Sequence, residues 1–224
     1  MRYLTQDDFS AVWPDSEKVQ IQITGILATQ TEAFIKYKID NILELAHLMA
    51  QISHESNTAL EMTESLNYTP QVLLKQWPTH FNTAQALLYG RTQEHPANQR
   101  MIGDLAYGGR MGNRPGSDDG YNFRGRGFIQ TTGHNGYKEL GDLTGLDLIN
   151  QPELVNDPEY AFICSVAEFT NYHDMLAYCM ADNLLAVSSL INLGHVVLDP
   201  SKIIGYHDRE AWLRLWKHQL EIST

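Results

Sequence analysis

This sequence predicts a mainly α-helical single domain with one small β or irregular element. Three observations carry that prediction. Apolar residues recur at three- and four-residue spacing, most clearly Ile42, Leu45, Leu48, Met49 and Ile52. Twelve of the sixteen glycines fall between Gly103 and Gly145, a density that opposes helix. The chain's 224 residues, 43% hydrophobic and 19% charged, suit one domain with a sizeable core and exclude a disordered chain.

Taken in order, Thr5 is a candidate N-cap for a short helix ending before Pro14. Ile39–Ser56 is the strongest helical stretch, with Asp40 or Asn41 near its start. Thr69-Pro70 opens another helix through about Lys75, because proline is pre-organised for a first turn. Pro158–Tyr178 and Asp208–Leu220 are further helical stretches. Between them, Gly103–Gly145 reads as turns and short extended pieces. It also holds Tyr107, Tyr121, Phe123, Phe128, Ile129 and Tyr137, and linkers are rarely so aromatic. An ordered loop region lining a cleft is expected there, with the β or irregular element near residues 105–135.

Composition excludes several classes. Lys plus Arg number 16 and Asp plus Glu 27, for a net charge of −11. Nucleic acid and anionic lipid are poor partners for such a chain, whereas a neutral polymer is not. No apolar run reaches the ~18 residues of a membrane span, so no membrane insertion is expected. Met1–Gln20, with Asp7, Asp8, Asp15 and Glu17, does not read as a signal peptide. The expectation is a soluble, monomeric protein made in the cytoplasm. Cys164 and Cys179 lie in apolar, helix-like sequence and are expected as buried free thiols. Nine scattered histidines form no compact ligand pair, so no metal and no cofactor are expected. His54-Glu55 begins like a zinc-protease helix, but Thr58 stands where the second histidine would fall. Gly125 and Gly127 begin a dinucleotide fingerprint, but Gln130 takes the third glycine's place. A Walker motif and a nucleophile elbow are both missing.

Carboxylates remain. Leu48, Ile52 and Glu55 follow the i, i+4, i+7 rule, which puts Glu55 on the apolar face at a helix C-terminus. Apolar surroundings and the negative helix end both favour the protonated form that a general acid needs. An exposed last-turn glutamate fits the same pattern equally well. Nine residues on, Glu64 falls within Thr63–Tyr68, in a loop whose wetter setting suits a base. Two carboxyls in unlike settings form the pair that glycoside hydrolysis needs. Spacing alone does not rank Glu64 over Glu61, and loop glutamates that only solvate fit as well.

Several segments resemble one family in order: Ala50–Ser56, Glu64–Tyr68, Tyr107–Asn113, Asp119–Gly133, Asn150–Val155, Leu190–Asn192 and Asp208-Arg209. Together these cover most of residues 40–215 and resemble the family-19 glycoside hydrolases, the chitinase-like group that includes many phage endolysins. The resemblance implies a lysozyme-like helical domain with the β or irregular element beside the cleft. It implies Glu55 as general acid and Glu64 as general base, with Thr132 helping to hold the attacking water. Gln130 and Asn192 match substrate-binding residues, and Arg209, counted with them, matches an arginine that reaches the acid. The family's asparagine before the tyrosine at Tyr137 is Gly136 here, with Asn135 one residue earlier; Asn135 and Tyr137 are taken as that sugar contact. Leu193-Gly194 stands where the family often has Gly-Gly. Tyr68, Tyr121 and Phe123 are offered as flat surfaces for sugar rings, with ordinary packing as the alternative.

A single catalytic domain over 1–224 follows, with an N-terminal helical segment (1–38), a catalytic core (39–220) and no separate cell-wall-binding module. The resemblance implies an inverting displacement without a covalent sugar intermediate, and carboxyls ~6.5–9.5 Å apart. The expected substrate is the β-1,4-linked glycan of bacterial peptidoglycan. The site is the periplasm or cell wall, after release from a host bacterial cytoplasm. A chitinase, or a glycan-binding relative without catalysis, is the alternative.

Overall fold

The structure, a computed structural model, describes residues 2–222. Met1, Ser223 and Thr224, the ends of the predicted domain, lie outside the described residues. Twelve α-helices occur among the described residues, and they are numbered here in chain order. They are α1 (Gln6–Ser10), α2 (Glu17–Tyr37), α3 (Ile42–Glu55), α4 (Pro70–Gln76), α5 (Thr83–Tyr89) and α6 (Gln99–Tyr107). Then come α7 (Asp119–Asn122), α8 (Gly133–Thr144), α9 (Ala161–Asn171), α10 (Met175–Met180), α11 (Leu184–Leu193) and α12 (Tyr206–Gln219). The chain divides into two compact units. One holds Met1–Met62, Gly127–Ile129 and Leu154–Thr224; the other holds Thr63–Arg126 and Gln130–Glu153.

The first unit is built around α3. Asn41 caps it: its side chain accepts from the Leu43 N–H at 2.8 Å, and Glu44 reaches back to the Asn41 N–H at 3.1 Å. The helix was expected to be amphipathic. Instead every residue from Glu44 to Ser53 is buried, because α9, α10, α11 and α12 all pack on it. Its polar residues are accordingly paired. Ser53 Oγ accepts from the indoles of both Trp13 and Trp216 at 2.8 Å, joining the N-terminal segment, α3 and α12. The longest helix, α2, packs on α9. Gly25 allows this unit's chain to pass close, since a Cβ there would strike the Pro158 carbonyl. The predicted stretch Pro158–Tyr178 is two helices, broken at Tyr172–Asp174 where Asp174 takes φ +59°. Cys164 and Cys179 are buried free thiols, as expected, and burial pushes Cys164 up to about 12.

The second unit has its own core of Leu66, Leu73, Trp77, Phe81, Ala86, Ile102 and Ala106. Thr69 and Pro70 open α4 as the sequence predicts. Gly103 on α6 and Gly120 on α7 let those helices touch backbone to backbone. The β element reduces to antiparallel bridges of Arg126 with Thr63 and with Thr131. The glycine-rich segment departs from expectation at its end, where Gly133–Thr144 is a full helix. Its Tyr137 and Leu140 are buried, and Thr132 leads into it with extended backbone.

Candidate active site

The predicted acid lies in the first unit. Glu55 ends α3, and its Oε1 accepts from Arg209 Nη2 at 2.5 Å. The expected apolar setting is therefore corrected: the carboxyl is 18% exposed and faces a guanidinium that is 1% exposed. Arg209 also donates from Nη1 to Gln51 Oε1 at 2.5 Å and from Nε to the Ile204 carbonyl at 3.2 Å. The Ile204 N–H in turn donates to Asn192 Oδ1 at 3.0 Å. Asn192, Ile204, Arg209 and Glu55 thus form one hydrogen-bonded chain running from α11 to α3. Gly205, at φ +69°, starts α12 against the His54 ring, which a Cβ would strike. His54 Nδ1 stands 2.6 Å from Asp208 Oδ2, fixing the start of α12 beside Glu55. Beginning two residues after Glu55, Asn57, Thr58 and Ala59 all take positive φ (46°, 54° and 66°), a left-handed run that turns the chain sharply. Arg209 was expected among the substrate contacts. Buried and committed to three acceptors, it positions the acid instead.

The predicted base lies in the second unit. Glu64 Oε1 accepts from the Tyr107 hydroxyl at 2.6 Å, and Oε2 from the Gly125 N–H at 3.2 Å. Its own N–H donates to the Gly125 carbonyl at 2.8 Å. Each carboxylate oxygen keeps a further lone pair for a water. Burial first, then the charge of Glu64, pushes the Tyr107 hydroxyl far above the ordinary tyrosine range, so it remains a donor. Gly125 is the centre of this group. A Cβ there would come within 2.8 Å of Gln130 Oε1 and 3.4 Å of both Glu64 Cβ and Thr132 Oγ1. Gln130, at φ +60°, turns back toward that point. Thr132 Oγ1 donates to the Gln130 carbonyl at 2.8 Å, which commits its proton and leaves its lone pairs to accept. The structure therefore brings Glu64, Gln130 and Thr132 together. Glu61 belongs to the first unit, is exposed, and accepts from Asn57 Nδ2 at 3.2 Å.

The remaining predicted residues divide. Tyr68 is half-buried, edge-on to Trp77 at 5.3 Å. Burial, then the charge of Glu64, raises its hydroxyl above the ordinary range. Asn135 is exposed, and its amide lies over Gly112, where a Cβ would collide with it. Tyr137 is a correction. It is fully buried, donating to the Arg124 carbonyl at 2.8 Å and accepting from Arg126 at 3.0 Å, so it cannot touch sugar. Phe123 is likewise core, 4% exposed and packed on His134 and Tyr137. The ring of Tyr121 is covered by Arg124, 4.0 Å from its centroid. Sequence reasoning missed Gln51, Tyr107 and the Ile204 backbone. Tyr107 stood inside a matching segment, but nothing in the spacing marked its hydroxyl as the partner of Glu64.

No protein-family model matches the chain. A glycosyl hydrolase family 19 domain-containing protein of Haemophilus influenzae is 29% identical over 152 residues, 67% of this chain and 69% of that protein. The chain is thus similar in sequence to a family-19 domain protein and similar in fold to solved chitinases. Chitinase C from Streptomyces griseus is similar in fold, with TM-score 0.62 and 17% identity over 98% of this chain and 93% of that one. A chitinase C mutant gives TM-score 0.61 and 16% identity over 99% and 94%. The chain shares their mainly helical, lysozyme-like fold.

Proposed function

We propose that this chain hydrolyses β-1,4 glycosidic bonds of bacterial peptidoglycan by a single inverting displacement, as an endolysin that lyses bacterial cells. One observation carries the catalytic part. Glu64, Gln130 and Thr132 converge on Gly125, whose lack of a side chain lets these polar groups close on one point. In this reading Glu64 takes a proton from a water, and Thr132 Oγ1 accepts that water's other hydrogen. The oxygen attacks the anomeric carbon as Glu55 protonates the leaving oxygen. Arg209 holds Glu55 in place throughout.

Buried free thiols at Cys164 and Cys179 suit a chain that folds in a reducing compartment. That is compatible with synthesis in a host bacterial cytoplasm; in this reading the lysin acts on the wall after release, on peptidoglycan strands, as a monomer. Chitin is the second reading, favoured by the chitinases among the structures of similar fold. Turbidity of outer-membrane-permeabilised Gram-negative cells, run beside colloidal chitin, separates the two. Lysis with little release from chitin is expected. Chitin hydrolysis without lysis would reverse the assignment, and binding without either would point to a non-catalytic relative.

A further inference from the structure

The arginines of the second unit differ in what holds them. Arg100 pairs with Asp118, and Arg114 grips Asp119 through two side-chain hydrogen bonds of 2.8 Å. Arg126 is buried and donates to the Asn122 carbonyl and the Tyr137 hydroxyl. Arg124 has no acidic ion-pair partner among the described residues. Its Nη1 donates to the Tyr121 carbonyl at 2.7 Å, and its guanidinium lies on the Tyr121 ring. These contacts hold the plane of the group but neutralise nothing. Its Nε is buried without a hydrogen-bond partner, which is unusual for a guanidinium. Arg124 also precedes Gly125, whose N–H holds Glu64. Burial and the neighbouring Arg126 push Arg124 below the ordinary arginine range, while the charge of Glu64 acts the other way, so the two groups are within electrostatic reach.

We propose that Arg124 binds a carboxylate of the substrate and so selects acidic glycan over neutral glycan, an inference that rests on the peptidoglycan reading above. Chitin is neutral and offers it nothing. Peptidoglycan offers two sources of the same chemistry: the lactyl carboxylate of strands stripped of peptide, and the carboxylates of stem peptides. A guanidinium already immobilised on an aromatic face gives up little freedom on binding one.

The test compares wild type, Arg124→Met and Arg124→Lys on three substrates: a chito-oligosaccharide, peptide-stripped strands and strands bearing stem peptides. Arg124→Met should lose about tenfold or more in kcat/KM on acidic strands and less than about threefold on the chito-oligosaccharide, with partial recovery in Arg124→Lys. Loss on stripped strands identifies the lactyl carboxylate; loss confined to peptide-bearing strands identifies the stem. Equal losses on all three with a shifted pH–rate profile would mean that Arg124 only supports Glu64, and would overturn the proposal, as would no loss at all. Should Arg124→Met not fold, wild type decides: N-acetylmuramic acid should inhibit chito-oligosaccharide cleavage more strongly than N-acetylglucosamine, and equal inhibition overturns the proposal. If wild type cuts the chito-oligosaccharide but neither acidic strand, the peptidoglycan reading itself fails. If it cuts acidic strands and the variants show no selectivity, this inference alone fails.

Discussion

Glu55 is held by an arginine that donates in three directions at once, to Gln51, to Ile204 and to Glu55 itself. Arg209→Lys keeps the charge but not the fork. Its kcat/KM should fall on the order of tenfold with the circular dichroism spectrum unchanged; unchanged kinetics would show that the fork is not needed. Glu55→Gln and Glu64→Gln should each cost roughly 10²–10⁴-fold in lysis rate, with Glu61→Gln nearly normal. Activity lost in Glu61→Gln and kept in Glu64→Gln would move the base by three residues. Gly125→Ala should fold, since only the end of the Gln130 side chain must move, and yet lose activity because its methyl fills the point where Glu64, Gln130 and Thr132 meet. At this scale the sequence was informative about which residues gather at Gly125 and that Arg209 reaches Glu55. It was misleading about Tyr137, because a motif records that an aromatic is required without recording whether it faces solvent or core; for Phe123 the packing alternative holds. The Tyr107 hydroxyl was illegible for a related reason: its partner Glu64 lies 43 residues away.

Among the elements, α1, α3, α4 and α12 were legible because each carries a local signal, a cap or an apolar stripe. The break between α9 and α10 was not, since apolar periodicity continues across it, while the backbone turns through extended Tyr172 and positive-φ Asp174. Helix α8 was hidden by its glycines, whose low propensity is outweighed by burial of Tyr137 and Leu140. The all-round burial of α3 has a measurable consequence at His47. This residue is fully buried, with Nε2 3.0 Å from Asp182 Oδ1 and Nδ1 unpartnered. Burial pushes its imidazole down to about 4, below its ordinary 6.5. Above pH 6.5 neither folded nor unfolded His47 is charged, and its contribution to stability is intact. As pH falls from 6.5 toward 4 the unfolded chain takes up a proton that the folded one refuses, and up to about 3 kcal/mol is lost. His47→Gln keeps a donor for Asp182 and cannot titrate. Urea unfolding at pH 7.5, 5.5 and 4 should show a flatter decline for this variant than for wild type; parallel declines would assign the acid sensitivity elsewhere.

Charge is unevenly shared across the whole molecule. The second unit has eight Lys or Arg against nine Asp or Glu, a net −1, which leaves −10 of the chain's −11 on the first. No described helix is long and apolar enough to cross a membrane. The wall is acidic too, so enzyme and wall should repel at long range, and the Debye length shrinks from ~30 Å at 0.01 M salt to ~10 Å at 0.1 M. Initial lysis rates on permeabilised cells should therefore rise between about 10 and 100 mM NaCl. A monotonic fall would mean that Arg91, Arg100, Arg110, Arg114, Arg124 and Arg126, all in the second unit, outweigh the rest. The central claim, glycosidic hydrolysis of peptidoglycan by the two glutamates, is tested most directly by mass analysis of fragments released from purified sacculi by wild type and by Glu64→Gln. The account predicts fragments with new reducing sugar ends, each carrying the elements of one water, from wild type and almost none from the variant. Fragments with new amino termini, or equal release by both proteins, would contradict it.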